Sequence, residues 1–114
     1  MGHVVIVAYR PKPGRQGALE DLLRRQSSRL RAEGYVTDRR PTLMRAGDGT
    51  LIQLLEWTTS TQELRGLPAI GEMRAEFEAL ADFVPLASLP EFGAHFADLE
   101  AVDISGALFP ELSP

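Results

Sequence analysis

Two runs rich in apolar residues, 42–45 and 51–57, lie near the middle of the chain on either side of a short segment that contains Asp48 and Gly49. Asp-Gly between two apolar runs is a strong local signal for a β-hairpin, because glycine reaches positive φ at little steric cost. The pattern therefore predicts two antiparallel strands joined by a turn at 46–50.

The first apolar run, residues 3–10, is rich in β-branched and aromatic residues and stops at Pro11. This composition predicts a strand. Its apolar residues fall on both faces, which is typical of a strand that lies inside a sheet and is covered on both sides.

Apolar residues recur at helical spacing over 17–33, and Gly34 follows. The spacing predicts an amphipathic helix that ends at this glycine, with Gln26 as one polar position on the apolar stripe.

A second helical region follows the hairpin. Ser60 and Glu63 have the spacing of a capping box, which predicts a short helix that ends at Gly66. A longer helix is predicted over 68–84, and Pro85 ends it.

In a strand over residues 95–104, successive side chains would point to opposite faces, with Phe96, Val102 and Ile104 on one face. This pattern predicts the last strand. The predicted order is β-α-β-β-α-β, which defines an α+β, ferredoxin-like domain over 1–104. This fold has a four-stranded antiparallel sheet with two helices on one face. Residues 105–114 are expected to form a C-terminal tail. A second copy packed against the bare face would cover it, so we expect a homodimer.

The composition excludes several kinds of functional site. The chain has no cysteine, which excludes disulfides, zinc–thiolate sites, iron–sulfur clusters and thiol catalysis. No apolar run is long enough to span a bilayer, and the N-terminus lacks the basic region of a signal peptide. We therefore expect a cytoplasmic protein without a membrane partner.

The net charge of −4 is unevenly distributed. The first fifty residues hold ten basic and five acidic residues, whereas the rest of the chain holds two basic and eleven acidic residues. Two interpretations stay open: a basic surface that attracts an anionic ligand, or two solvated faces that complement each other across a fold or a dimer. The acidic balance, without a basic patch that carries aromatics, argues against nucleic acid.

Three stretches together carry a family resemblance: RPKPGRQGALEDLLRR at 10–25, GDGTLIQLLEW at 47–57 and FEALADFVPLASL at 77–89. With them, the chain resembles the dimeric α+β barrel superfamily, and within it the antibiotic biosynthesis monooxygenase-like proteins, over about residues 3–104. The segment 65–70 departs from the pattern, because it contains no histidine, whereas many relatives carry one near the start of the second helix.

The resemblance implies a homodimer with a cavity between helices and sheet in each protomer. Some members oxidise polycyclic aromatic substrates without metal or flavin, and others degrade haem or isomerise small lactones. A small-molecule ligand is therefore expected, and a cofactor-independent monooxygenase that acts on an aromatic or polyketide-type compound is the leading hypothesis. Fold alone does not decide between these activities.

In such an oxygenase a substrate anion reacts with oxygen, and the protein supplies apolar enclosure and a hydrogen-bond donor. Trp57 and Tyr9 provide both. His95 is the candidate general acid or base, because the small residues after it leave room for a ligand. These three are the predicted catalytic residues. Two alternatives stay open: Trp57 as packing of the barrel seam, and His95 as a solvent-facing side chain.

Four further residues are predicted to bind substrate: Arg45, Glu56, Met73 and Phe77. Arg45 can hold a substrate carboxylate or phenolate, or pair with an acidic residue of the sheet. Glu56 is a base with a raised pKa if it faces the helices, or an ion-pair partner at the dimer interface. Met73 and Phe77 are core residues or walls of a pocket.

Two rival hypotheses remain. The first is a non-catalytic binding or regulatory module of the same fold. The second is a haem-handling relative, in which His3 or His95 would bind the iron. No metal-ligand spacing, phosphate loop or dinucleotide fingerprint is present, so the sequence predicts neither a metal nor a cofactor.

Overall fold

The computed structural model describes residues 2–93 and 97–102. This part of the chain forms an α+β structure with one antiparallel sheet of five strands in the order β4-β1-β3-β2-β5. The elements are β1 His3–Pro11, α1 Gln16–Ala32, β2 Thr42–Arg45, β3 Leu51–Trp57, α2 Thr61–Leu64, α3 Pro68–Leu80, β4 Ala81–Val84 and β5 Glu100–Val102.

The predicted hairpin is confirmed with its expected bounds, since β2 and β3 pair antiparallel across residues 46–50. Gly49 has a φ of 91°. The Asp48 carboxylate accepts a hydrogen bond from the Thr50 backbone N–H at 2.9 Å, which fixes the turn. Hydrogen bonding with Thr50, through its side chain and then its backbone, lowers the pKa of the Asp48 carboxyl.

The two predicted N-terminal elements are also confirmed. β1 lies between β3 and β4, with Tyr9 opposite Leu51 on one side and opposite Phe83 on the other. α1 differs from the predicted helix by one residue at each end, and Gly34 after it has a φ of 79°.

α1 and α3 pack on the same face of the sheet. Alternate residues of β1, β2 and β3 point towards the helices, and together they form the main apolar cluster. Its buried members are Tyr9, Leu19, Leu22, Leu23, Leu43, Leu51, Phe77 and Ala81. No helix within the described ranges is long and apolar enough to cross a membrane.

In the second half of the chain, the short helix before Gly66 is confirmed as α2, and the prediction was wrong about the end of the longer helix. The helix expected over 68–84 ends at Leu80, and Ala81–Val84 forms β4, which pairs with the end of β1. Ala81 has extended backbone angles, and the residue before Pro85 is biased towards the extended region. Pairing with β1 satisfies backbone groups that a longer helix would leave at the sheet edge.

The sheet therefore has five strands in the described part instead of the predicted four. Of the final strand predicted over 95–104, the described portion forms β5 at Glu100–Val102 only, and it pairs with β2 at the edge opposite β4. Residues 94–96 and 103–114 lie outside the described residues, so the outer parts of that strand and the predicted tail are not addressed.

The second face of the sheet is covered at one end only. Between β4 and β5 the chain forms two short 3₁₀ turns, and the buried Leu89 packs on Ala8 and Ile52. At the other end Val4 and Ile6 are 56% and 46% exposed. The expected cover on both sides of β1 is thus supplied in part by the protein's own chain.

Candidate functional site

A cavity of about 420 Å³ lies between the helices and the sheet. Its volume falls within the roughly 300–1,000 Å³ range of small-molecule sites. The walls come from β1, β3, α1 and α3, with further residues from α2 and β4. The lining residues that bear on chemistry are Tyr9, Gln26, Ser27, Gln53, Trp57, Arg65, Met73, Arg74, Phe77 and Phe83.

Three side chains on the cavity wall form a hydrogen-bonded chain. The Tyr9 hydroxyl donates to Gln53 Oε1 at 3.3 Å, and Gln53 Nε2 donates to Ser27 Oγ at 2.7 Å. Gln53 and Ser27 are both buried. The first bond is long for a hydroxyl donor and therefore weak, so the Tyr9 hydroxyl can donate its hydrogen bond to a ligand acceptor instead at little cost.

Tyr9 is a neutral hydrogen-bond donor in this environment. Its ring stacks on Phe77 with centroids 5.0 Å apart and lies 5.2 Å from the Phe83 ring. Burial raises the pKa of the phenol well above its usual value. Since the phenolate is disfavoured, Tyr9 cannot serve as a general base near neutral pH.

Two buried polar atoms at the cavity have no partner among the described residues. These are Gln26 Oε1 and Trp57 Nε1. Gln26 is only 5% exposed, so its amide oxygen is well removed from solvent. Gln26 on α1 and Trp57 on β3 both line the cavity, among apolar and aromatic side chains, so one acceptor and one donor without a partner belong to residues of its wall.

The exposed lining residues mark the mouth of the cavity. These are Arg65, Arg74 and Phe83. Arg74 forms an ion pair with Glu78 at 3.0 Å, and its guanidinium lies 5.7 Å from the centroid of the Phe83 ring. The described lining includes no carboxylate and no imidazole. The site thus offers hydrogen bonds, aromatic surface and positive charge.

The structure brings together four of the residues that the sequence singled out. Tyr9 and Trp57, predicted to be catalytic, line the cavity, as do Met73 and Phe77, predicted to bind substrate. Met73 and Phe77 are buried on the sheet-facing side of α3. Their roles in catalysis and substrate binding stay predictions, but the four side chains share one site.

Arg45 and Glu56 lie away from this cavity. Arg45 forms ion pairs with Glu20 on α1 and Glu100 on β5, each at 3.1 Å, so its guanidinium joins β2 to both elements. Glu56 accepts a hydrogen bond from the Thr37 hydroxyl at 2.7 Å, and this bond lowers the pKa of its carboxyl.

Glu56 also pairs with Arg39 at 3.3 Å. Its neighbours in β3 line the cavity, so Glu56 points to the opposite face of the sheet. A lowered pKa disfavours the role of a base.

The two histidines do not contribute to the described site. His95 lies outside the described residues, and its predicted acid–base role is not addressed. His3 is exposed and is not among the lining residues. Among residues 2–93 and 97–102, no group of three or more histidine, aspartate or glutamate side chains is placed to hold a metal ion.

Sequence reasoning missed the polar side chains of the wall. Gln53 sits between Leu51 and Leu55 at strand spacing, and Gln26 interrupts the apolar stripe of α1. A polar residue on an otherwise buried stripe is a signal for an internal hydrogen-bonding site. Arg65 carried a different signal, because it is one of only two basic residues in the second part of the chain.

Comparisons of the chain with protein-family models, with curated proteins and with solved structures found no match. The resemblance to the monooxygenase-like proteins therefore stays a prediction from the sequence.

Proposed function

We propose that this protein binds a planar aromatic or polyketide-type compound in the cavity between its helices and sheet. The observation that carries the proposal is the pair of unpartnered buried atoms, Gln26 Oε1 and Trp57 Nε1. Leaving a buried polar group unpaired costs about 1–3 kcal/mol. A ring system that carries a hydroxyl and a carbonyl recovers this cost by donating to Gln26 and accepting from Trp57.

The shape and composition of the walls support a flat ligand. Tyr9, Phe77 and Phe83 all line the cavity, and their rings contact one another, which gives the wall an aromatic surface. Flat rings pack on such a surface in offset stacks, which adds to the gain from apolar burial. The polar groups are few and fixed, as in sites that orient a ligand as well as enclose it.

The architecture we propose is a ferredoxin-like fold that pairs as a dimeric α+β barrel. The order β4-β1-β3-β2, with a helical crossover in each half, supports it, and β5 is an addition at the β2 edge. We propose that a second copy of this chain covers the exposed second face. Val4 and Ile6 lie on an internal strand, and together with the half-buried Leu54 they form one apolar surface there.

The dimer is tested by mass from light scattering. We expect a dimer for the unaltered chain and a monomer for Val4→Asp, while Leu67→Asp, at an exposed apolar position outside the sheet, stays dimeric. A monomeric unaltered chain contradicts the dimer. In that case, exposure of the face to a hydrophobic dye on removal of 105–114 would assign the cover to the tail.

The chemistry we propose for the site is cofactor-independent oxygenation of an activated ring methylene. The substrate loses a proton to form an enolate, whose carbon adds O₂ to give a peroxide. After protonation, the peroxide eliminates water and leaves a carbonyl, so that R₂CH₂ and O₂ yield R₂C=O and H₂O. The Trp57 N–H donates to the enolate oxygen, and the apolar walls exclude water.

One observation favours the rival hypothesis of a binding module without turnover. The described lining holds no carboxylate and no imidazole, so the substrate must be acidic enough to ionise without a base from these residues. Oxygen uptake with aloe-emodin anthrone, which has a ring methylene, decides between the two. Uptake above the spontaneous rate that falls in Trp57→Phe supports the oxygenase, and tight binding without uptake supports the module.

Binding itself is tested through Trp57, which is the only tryptophan in the chain. Its fluorescence therefore reports on the cavity alone. We expect saturable quenching by aloe-emodin, a neutral three-ring quinone with two ring hydroxyls. Gln26→Leu is expected to weaken binding about three- to tenfold, the range for a neutral hydrogen bond.

Gln16→Leu is the matched control, since Gln16 is exposed at the start of the same helix. An absence of saturable quenching contradicts the proposal. So does an equal loss of affinity in both variants, because the effect would then not depend on the cavity.

A further inference from the structure

The second part of the chain is acidic, and its two basic residues both lie at the mouth of the cavity. Residues 51–114 contain eleven acidic and only two basic side chains, and both basic ones, Arg65 and Arg74, line the cavity. Both lie beside an aromatic opening whose described lining contains no carboxylate.

The two arginines differ in what they already bind. Arg74 is paired with Glu78, so the pair together adds no net charge. Arg65 is exposed, and its side chain has no hydrogen bond or ion pair with any other described residue. The mouth therefore carries one uncompensated positive charge, which attracts an anion and repels a cation.

Three arginines in the first half of the chain are used differently. Arg45 bonds two carboxylates, Arg39 pairs with Glu56, and Arg10 pairs with Asp48. Each of these ion pairs joins one element of the fold to another. Arg65 makes no such connection within the described residues, so a structural ion pair does not account for it.

We propose that the ligand of this cavity is an aromatic carboxylic acid, whose rings lie on the aromatic wall and whose carboxylate binds Arg65 at the mouth. The proposal rests on the proposed function and adds the charge of the ligand to it. A guanidinium binds a planar carboxylate through two parallel hydrogen bonds. A carboxylate also matches the single uncompensated charge, whereas a phosphate dianion exceeds it.

The ring and the acid are recognised by separate parts of the site. The rings reach the buried Gln26 and Trp57, and the carboxylate stays at the solvent boundary, where Arg65 does not have to be desolvated. An ion pair at this boundary adds less affinity than a buried pair, but it sets orientation and discriminates against neutral analogues.

The test compares rhein with aloe-emodin, which share the same rings and hydroxyls and differ only in a carboxylate against a hydroxymethyl group. Affinities are measured by Trp57 fluorescence at low salt and about pH 6, where a carboxylate is ionised and a phenol is not. We expect rhein to bind about fivefold more tightly than aloe-emodin to the unaltered protein.

Arg65→Gln is expected to remove this preference by weakening rhein binding more than aloe-emodin binding, and Arg65→Lys to restore it in part. Arg25→Gln is the matched control, because Arg25 is an exposed arginine of α1 outside the lining. It changes the net charge equally and is expected to keep the preference. Added salt should weaken rhein binding more than aloe-emodin binding.

Three other outcomes would contradict the carboxylate proposal. Equal binding of the two compounds to the unaltered protein overturns the carboxylate and leaves the cavity proposal standing. An equal loss in Arg65→Gln and Arg25→Gln also overturns it, because net charge and not the mouth would then decide. If neither compound binds, the proposed function fails and the carboxylate proposal fails with it.

Discussion

The two halves of α1 perform different tasks on the same face of the sheet. In the first half, Leu19, Leu22 and Leu23 are 0–2% exposed and pack closely against the sheet. In the second half, Gln26 and Ser27 face the cavity. The change from leucine to polar residues occurs within one helical turn. Stability is thus concentrated where the layers touch, and recognition where they separate.

The largest expected effect removes a leucine from the packed half. Leu23→Ala is expected to lower the free energy of unfolding by about 2–5 kcal/mol, because it deletes buried methyl groups and leaves a cavity. Urea unfolding followed by circular dichroism measures it. Leu67→Ala, at a position 36% exposed, is the control and should change the free energy far less. A similar loss in both variants would contradict the distinction between packed and exposed positions.

A smaller effect is expected from the hydrogen-bonded wall. Gln53→Leu leaves the Tyr9 hydroxyl and Ser27 Oγ without their partner and is expected to cost about 1–3 kcal/mol. The double variant with Ser27→Ala should recover part of the loss in the same unfolding assay, because one unpaired group is removed. Additive losses would show that Gln53 and Ser27 do not act together.

Tyr9 lies where the two halves meet and gives a pH-dependent test. Burial raises the pKa of its phenol in the folded state, so the neutral phenol stabilises the fold fully below about pH 10 and this contribution is lost as the pH rises above that value. We expect the unaltered protein to lose about 1 kcal/mol more than Tyr9→Phe between pH 9 and about pH 10.5. Parallel stability curves for the two proteins would contradict the raised pKa.

The smallest change in stability is expected for Gln26→Leu, which should affect stability and ligand binding in different ways. Gln26→Leu replaces an unpartnered buried amide with an apolar group, so it should leave stability unchanged or raise it by up to about 1 kcal/mol, while it weakens aloe-emodin binding. A substitution that stabilises the fold and weakens ligand binding indicates a position that serves binding and not folding. A clear loss of stability would instead make Gln26 part of the packed core.

The elements that local signals define were predictable from the sequence. The hairpin follows from Asp48 and Gly49, and α1 follows from its leucine spacing and Gly34. The segment Ala81–Val84 was not predictable in the same way. Helical spacing continues through it to Val84, and pairing with β1, a contact distant in the sequence, decides that it is a strand.

The site was predictable in its walls and not in its opening. Aromatic and apolar residues such as Trp57 and Phe77 could be assigned to a pocket or to the core, because both environments favour the same side chains. Whether space remains between them depends on how α3 sits on the sheet. Arg65 had no local pattern to mark it, since its significance comes from the cavity beside it.

The exposure of Arg65 and Arg74 has a consequence for how this protein can change over generations. Substitutions at exposed positions usually alter stability by no more than about 0.5 kcal/mol. The charge preference of the site is therefore free to drift, reverse or disappear while the buried ring-binding wall is retained. Paralogues of such a protein can diverge in the ligands they accept through changes in α3 and the segment before it alone, with the sheet inherited intact.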